Sequence, residues 1–172
     1  MKVLGIDPGV ATTGYAIVEK KEASCSVIEA GVIRTEKEKP LSERLFLIYE
    51  AICSIIKKHN PDSIALEDVF FAKNRKTALL IGAAKGVFLL SAGRFNLPVA
   101  EYTPLAIKQS ICGFGRAEKR QVQEMVKRLL DLAEIIQPDD ATDAVACAMH
   151  HIQSKQLFTE SKVKSLRHGE FI

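Results

Sequence analysis

LGIDPGVATTGYAIV, residues 4–18, sets an acid at the end of an apolar run and a turn directly behind it. Asp, Pro and Gly all favour tight turns, so turn chemistry alone accounts for Asp7-Pro8-Gly9. A carboxylate held at a strand end, within reach of a metal or a phosphate, is the other use of the same residue. Working outward, residues 2–7, 14–19 and 25–35 are rich in Val and Ile with turn signals between them, and predict three strands. Their short connections predict an antiparallel meander.

Beyond residue 40 the period changes. Leu41, Leu45, Ile48, Tyr49, Ile52, Ile55 and Ile56 recur at helical spacing, and the pattern stops near His59-Asn60-Pro61. SIALE (63–67) and VAEYT (99–103) read as short buried strands, with a helix from about Arg75 to Phe95 between them. Residues 104–113, 118–132 and 139–153 read as helices. Strands joined through helices tend to be parallel neighbours. The expected class is therefore α/β: a mixed five-stranded sheet, three antiparallel strands plus two parallel, flanked by helices. Functional groups of such sheets collect at strand ends. One domain is expected over residues 1–153. Residues 154–172, with Lys155, Lys162, Lys164 and Arg167 and weak periodicity, are expected to form a flexible basic tail.

The chain has 172 residues, 47% apolar and 26% charged, which fits an ordinary globular protein large enough to bury a core. No apolar run approaches the ~20 residues that span a bilayer, and Asp7-Pro8 cuts the N-terminal apolar run too short for a signal peptide. A cytoplasmic protein with no membrane partner is the expectation. Cys25, Cys53, Cys112 and Cys147 are widely spaced, which argues for packed thiols rather than zinc or disulfides. The adjacent His150 and His151 point different ways on a helix and make poor joint ligands. Net charge is only +3, yet residues 104–128 carry six basic side chains against two acidic ones. A basic segment on a nearly neutral body is the footprint of a polyanion partner.

Asp7 is not the one acid placed this way. Glu67 ends SIALE as Asp7 ends KVLGI, and parallel neighbours would bring both to one edge of the sheet. Strand alternation sends the competitor Asp68 to the opposite side. In QPDDATDAVACAMHHI, the residues Ala141, Ala144, Val145, Ala148, Met149 and Ile152 make a helical core stripe, with Asp140 and Asp143 one turn apart along its edge. Asp139 suits a helix cap, and the first-turn Asp140 suits the helix dipole; neither role explains Asp143. Converging carboxylates repel one another and a divalent cation removes the conflict. Hard oxygen ligands favour Mg²⁺, with Mn²⁺ able to substitute. Two such ions ~4 Å apart can activate water and stabilise the leaving oxygen in phosphodiester hydrolysis. A metal-dependent nuclease is the expected chemistry.

Taken together and in order, GIDPG (5–9), TGY (13–15), E-x-V-F followed by AKN (67–74), the G-x-A-E-K at 115–119 and the D-x-x-D-A-V-A at 140–146 resemble the RuvC family of bacterial Holliday junction resolvases. The resemblance runs to about residue 153 and implies a ribonuclease H-like fold. It implies Asp7, Glu67, Asp140 and Asp143 as catalytic and metal-binding carboxylates, holding two ions per active site. It further implies paired, symmetric nicking of a four-way DNA junction in recombination and repair, leaving 5′-phosphate and 3′-hydroxyl ends. Its partners would be junction DNA, a second copy of the chain and a branch-migration motor complex.

The same pattern assigns Phe70 to base stacking and leaves Phe71 to the core. Lys73, Asn74 and Arg75 are placed for phosphates, Lys108 and Lys119 match basic DNA-contacting positions, and Arg116 and Arg120 stand beside them. Such contacts position DNA without reading its sequence. Lys127 and Arg128 are better read as a solvated face. Gly82-Ala83-Ala84-Lys85-Gly86 interrupts a helix with small residues, so something must approach closely: its own sheet or, as the family implies, a partner subunit across Gly82, Ala83 and Gly86. Gly9 and Gly14 have P-loop spacing, but Tyr15-Ala16 stands where Lys and Ser/Thr are needed. An actin-like ATPase needs two domains, more than 172 residues supply. A junction-binding module with purely structural acids is the non-enzymatic rival.

Overall fold

A computed structural model describes residues 1–22, 24–68 and 75–168, with side chains over 1–22, 24–68 and 77–155. Strands β1 (Lys2–Asp7), β2 (Thr12–Lys21) and β3 (Ser24–Arg34) form the meander; β4 (Ser63–Glu67) and β5 (Val99–Tyr102) complete one sheet in the order β3-β2-β1-β4-β5. β1–β2 and β2–β3 pair antiparallel, while β1–β4 and β4–β5 pair parallel. The expected α/β class and its three-plus-two sheet are what the chain adopts.

The helices follow their local signals. Helix α1 (Leu41–His59) buries Ile48, Ile52, Ile55 and Ile56 and ends on Asn60, whose φ of 47° places it in the left-handed region ahead of Pro61. Helix α2 (Arg75–Arg94) precedes β5. Helix α3 (Pro104–Cys112) starts under a Thr103 cap that accepts the Ala106 N–H at 3.2 Å, and stops at Gly113 with φ 82°. Helix α4 (Lys119–Leu129) opens with a reciprocal capping box between Glu118 and Gln121.

Helix α5 runs Asp139–His168, well past the expected end at 153. Between Pro138 and Gly169 the sequence has no glycine or proline, so nothing local stops the helix. Helix α2 also departs from expectation: its Thr77–Arg94 stretch is long and apolar enough, by length and composition, to cross a membrane. In the fold that helix packs on α1 and buries Ala84, Phe88 and Ala92.

Strand alternation sorts the molecule into two cores. Leu4, Ile6, Ile17, Ile64 and Leu66 face α1 and α2. Val3, Ala16, Val18 and Ala65 face α5, with α3 and α4 behind it. Glycine lets α5 lie almost on the backbone of the sheet. A Cβ at Gly5 would overlap the Ala144 carbonyl oxygen, and one at Gly14 would overlap that of Asp140.

Candidate active site

The same parity positions the acids. Asp7 is in step with Val3 and Gly5, and Glu67 with Ser63 and Ala65, so both point to the α5 side. Parallel pairing of Ile6 with Leu66 sets these two strand ends next to each other. Asp68, one residue on, faces the other way, and its carboxylate accepts from Lys85 on α2 at 3.1 Å. Asp140 and Asp143 arrive from the first two turns of α5, at the height that Gly14 permits.

The turn behind Asp7 is tied on both sides. Thr13 Oγ1 donates to the Gly9 carbonyl at 2.5 Å. The Val10 carbonyl accepts from Thr35 Oγ1 at 2.6 Å, and that hydroxyl in turn accepts from the buried Arg44 Nε at 2.9 Å. The Asp-Pro-Gly turn is thus a fixed bracket for the carboxylate as well as a chain reversal.

Electrostatics shows that the acids converge. Burial raises the Asp7 carboxyl to about 7, helped by the charges of Asp143 and Asp140. Burial likewise raises Glu67 to about 8, with Asp7 and Asp143 adding to it, and the Asp7 and Glu67 carboxyls are hydrogen-bonded to one another. Asp143 is raised by burial and held back by Lys119. Near neutral pH Asp7 and Glu67 therefore share protons instead of standing as two bare anions.

Lys119 reaches into this group while keeping about half of its side chain in solvent. Its Nζ lies 3.1 Å from Asp143 and 3.5 Å from Asp139, and with Lys108 it lines a cavity of about 210 Å³ shared with Glu67 and Asp143. Burial lowers the Lys119 ammonium, but Asp143, Asp139 and Asp140 together raise it. Asp139 is the first helical residue, and its carboxylate accepts from Gln123 Nε2 at 2.7 Å.

The donor set suits a hard divalent cation: four carboxylates from three elements, two of them raised by burial and by one another's charge. Among the described residues, however, no three Asp, Glu, His or Cys side chains surround a common point. Asp7 and Glu67 are turned toward each other, and Asp143 toward Lys119.

Of the DNA-facing candidates, Lys108 borders the cavity, Arg116 is exposed on the α3–α4 loop, and Arg120 is exposed on α4, where it lines a separate pocket. Phe70, Phe71, Lys73 and Asn74 lie outside the described residues, as does the side chain of Arg75. At Gly82 and Gly86 a Cβ would meet no described atom within 4 Å, so among the described residues the sheet is not what approaches these two glycines.

Sequence reasoning missed a buried network behind the acids. His151 is hydrogen-bonded to Ser63 Oγ at 3.0 Å and to the Tyr102 hydroxyl at 2.8 Å, joining α5 to β4 and β5. Burial pulls His151 down to about 4, which keeps it neutral. Asp143, Cys147 and His151 follow one another at i+4, and that spacing was the available signal. The Cys147 thiol is raised by burial, with the Glu67 and Asp7 charges adding to it. All four cysteines are free.

A sheet of this order, with acids at the ends of its two central parallel strands and on the helix crossing them, defines a ribonuclease H-like nuclease fold. The sequence matches the family described as "Crossover junction endodeoxyribonuclease RuvC" over residues 3–151, and the chain belongs to that family. A protein of that description from Caldicellulosiruptor saccharolyticus is 52% identical over 166 residues, covering 95% of this chain and 100% of its own. The Thermus thermophilus RuvC structure in complex with Holliday junction substrate superposes with a TM-score of 0.88 at 32% identity, covering 92% of this chain and 97% of that one. A yeast mitochondrial Holliday junction resolvase, at 16% identity and a TM-score of 0.61, shares the fold. The family is one of metal-dependent nucleases.

Proposed function

We propose that Asp7, Glu67, Asp140 and Asp143 are the catalytic carboxylates and that they hold two Mg²⁺ ions, with Mn²⁺ able to substitute. As a member of its family the protein is a Holliday junction resolvase, a structure-selective endonuclease that acts on four-way DNA junctions. When bound, such ions activate water and stabilise the departing oxygen of a phosphodiester. The chain's own part is to present the oxygens. β1 and β4 fix Asp7 and Glu67 side by side, α5 brings Asp140 and Asp143, and the Thr13 and Thr35 hydrogen bonds hold the turn.

Lys119 neutralises Asp143 until other positive charge arrives, and Lys108 offers a charge to a phosphate entering the cavity. Phe70, Lys73, Asn74 and Arg75 complete the DNA contacts in this reading, with Arg116 and Arg120 holding an arm of the junction. The product ends are 5′-phosphate and 3′-hydroxyl.

Symmetric cutting of two strands calls for two sites, and a homodimer through α2 supplies them. Gly82, Ala83 and Gly86 lie on that helix, where Leu79 and Leu90 are 76% and 64% exposed. The observation that carries the reading is the side-by-side placement of Asp7 and Glu67 at the ends of β1 and β4, with Asp143 and Asp140 of α5 near enough for their charges to raise the Asp7 carboxyl.

The test incubates purified protein with a synthetic four-way junction and with a linear duplex, with and without Mg²⁺. Paired nicks in the junction alone, dependent on the metal, are expected, and Asp7→Asn should bind the junction without cutting it. Cutting by purified Asp7→Asn would overturn the assignment.

A further inference from the structure

The loop joining α3 to α4, residues 113–118, carries an aromatic side chain that the fold does not use. Phe114 is 46% exposed, and Leu105, on the first turn of α3, is 64% exposed. The loop has no slack that would let Phe114 turn inward.

Its entry is fixed by Gly113, whose N–H donates to the Gln109 carbonyl at 2.9 Å, and by Gln109 Nε2, which donates to the Gly113 carbonyl at 2.6 Å. Its exit is fixed by the capping box of α4 and by the buried Ala117. In between, Gly115 packs so tightly on Leu105 that a Cβ there would come within 2.8 Å of the Leu105 Cγ. Phe114 is therefore presented on a braced loop whose next residue packs on Leu105 of α3.

The surroundings name the occupant. Lys119, the first residue of α4, reaches Asp143 at 3.1 Å, so the loop ends at the carboxylate cavity. Lys108 lies one turn beyond Leu105 on α3 and lines that cavity, and Arg116, on the loop itself, is exposed. The exposed apolar residues of α1 and α2, among them Phe46, Leu79 and Leu90, stand on the helix layer across the sheet. Partly exposed apolar side chains on the stretch of chain between two cavity-lining lysines, Lys108 and Lys119, fit the chemistry of a nucleotide: anionic on one side, with the apolar faces of base and sugar on the other.

We propose that Phe114 is a DNA contact of its own, packing against the base or sugar face of nucleotides on the α3–α4 side of the cleft. The inference rests on the reading of the carboxylates as the cutting site.

The test measures equilibrium binding of a fluorescently labelled four-way junction by anisotropy, without divalent metal so that no cutting intervenes. The full-length chain is compared with Phe114→Ala, Phe114→Trp and Arg116→Ala across a salt series. Loss of a stacking contact should weaken binding roughly 5- to 100-fold in Phe114→Ala with the salt slope unchanged. Arg116→Ala should instead flatten the slope. Phe114→Trp should restore affinity. Because the chain has no tryptophan, the indole of that variant is a lone reporter whose emission should change on adding unlabelled junction.

Phe114→Ala binding within twofold of the parent, failure of Phe114→Trp to restore affinity, or indole emission indifferent to saturating junction would each overturn the proposal. Cutting by Asp7→Asn would overturn the site reading and leave these binding measurements standing, so the two failures are separable.

Discussion

Helices α5 and α2 are both apolar and rich in small residues, and they use smallness in opposite ways. On α5, Ala144 and Ala148 meet Gly5 of the sheet, and the Asp140 carbonyl meets Gly14, so the helix and its acids are pressed onto the strands from within the chain. On α2, Gly82, Gly86 and Gly93 face no described atom within 4 Å, and Leu79 and Leu90 stand exposed beside them. Small residues on a helix signal close approach, but not whose approach. The α5 contact sets the site; the α2 contact, in the proposed homodimer, would set how many sites act together.

The sharpest way to break that contrast is Gly14→Ala. The added methyl collides with the Asp140 carbonyl, so α5 must retreat and carry Asp140 and Asp143 with it. A stability loss of ~3 kcal/mol or more is expected by denaturant titration, together with loss of junction cutting. Unchanged stability would mean that α5 does not sit this close.

Asp7→Asn comes next. An acid raised on folding is protonated in the folded chain at pH values where the unfolded chain has already released its proton, so stability falls as pH rises from about 4 towards 7 to 8. The substitution removes one such acid. In EDTA the variant should match the parent near pH 4 and exceed it by about 1–2 kcal/mol at pH 8.5. Adding Mg²⁺ should raise the melting temperature of the parent more than that of the variant, since binding to the folded state stabilises it. Equal pH profiles for the two proteins would show that Asp7 does not titrate high.

Gly86→Ala should act with the opposite sign to Gly14→Ala. With nothing of the described chain in the way, alanine gains about 0.8–1 kcal/mol of helix propensity, visible by thermal melting at high dilution. At higher concentration the same methyl should weaken self-association, measured by sedimentation. Destabilisation of the dilute protein would mean that the chain itself packs on Gly86.

The sequence carried much of this because alternation is a local property. Asp7 shares parity with Val3 and Gly5, and Glu67 with Ser63 and Ala65, so the choice of Glu67 over Asp68 was readable before any coordinates. Asp143 was legible as an acid at the edge of a core stripe that dipole and capping chemistry leave unexplained, whereas Asp140, which suits the helix dipole, was singled out by the family resemblance. The pairing of Lys119 with Asp143 was not legible, because a basic residue in a basic segment looks alike whether it faces a phosphate or a carboxylate. Nor was the Ser63–His151–Tyr102 network, which spans 88 residues and depends on how α5 crosses the sheet. The long α5 was hidden by weak periodicity, although the missing glycine and proline were in plain sight.

The smallest effect expected is at Lys85, the residue that ties α2 to the edge of the sheet. Its ammonium donates to Glu101 at 2.5 Å and to Asp68 at 3.1 Å, and its side chain is 26% exposed. Glu101 chiefly, then Asp68, holds the lysine above its ordinary value of 10.5 against the pull of burial. The stabilisation is therefore fully present below pH 10.5 and is lost as pH rises through the raised folded value. Partly exposed pairs of this kind contribute ~0.5–1 kcal/mol. A double-mutant cycle of Lys85→Met with Glu101→Gln at pH 7 should return a coupling of that size, and a smaller one in high salt. A coupling of several kcal/mol would place Lys85 in a dry environment. The α2 layer would then be held to the sheet as firmly as α5 is, and the contrast between the two helices would fail.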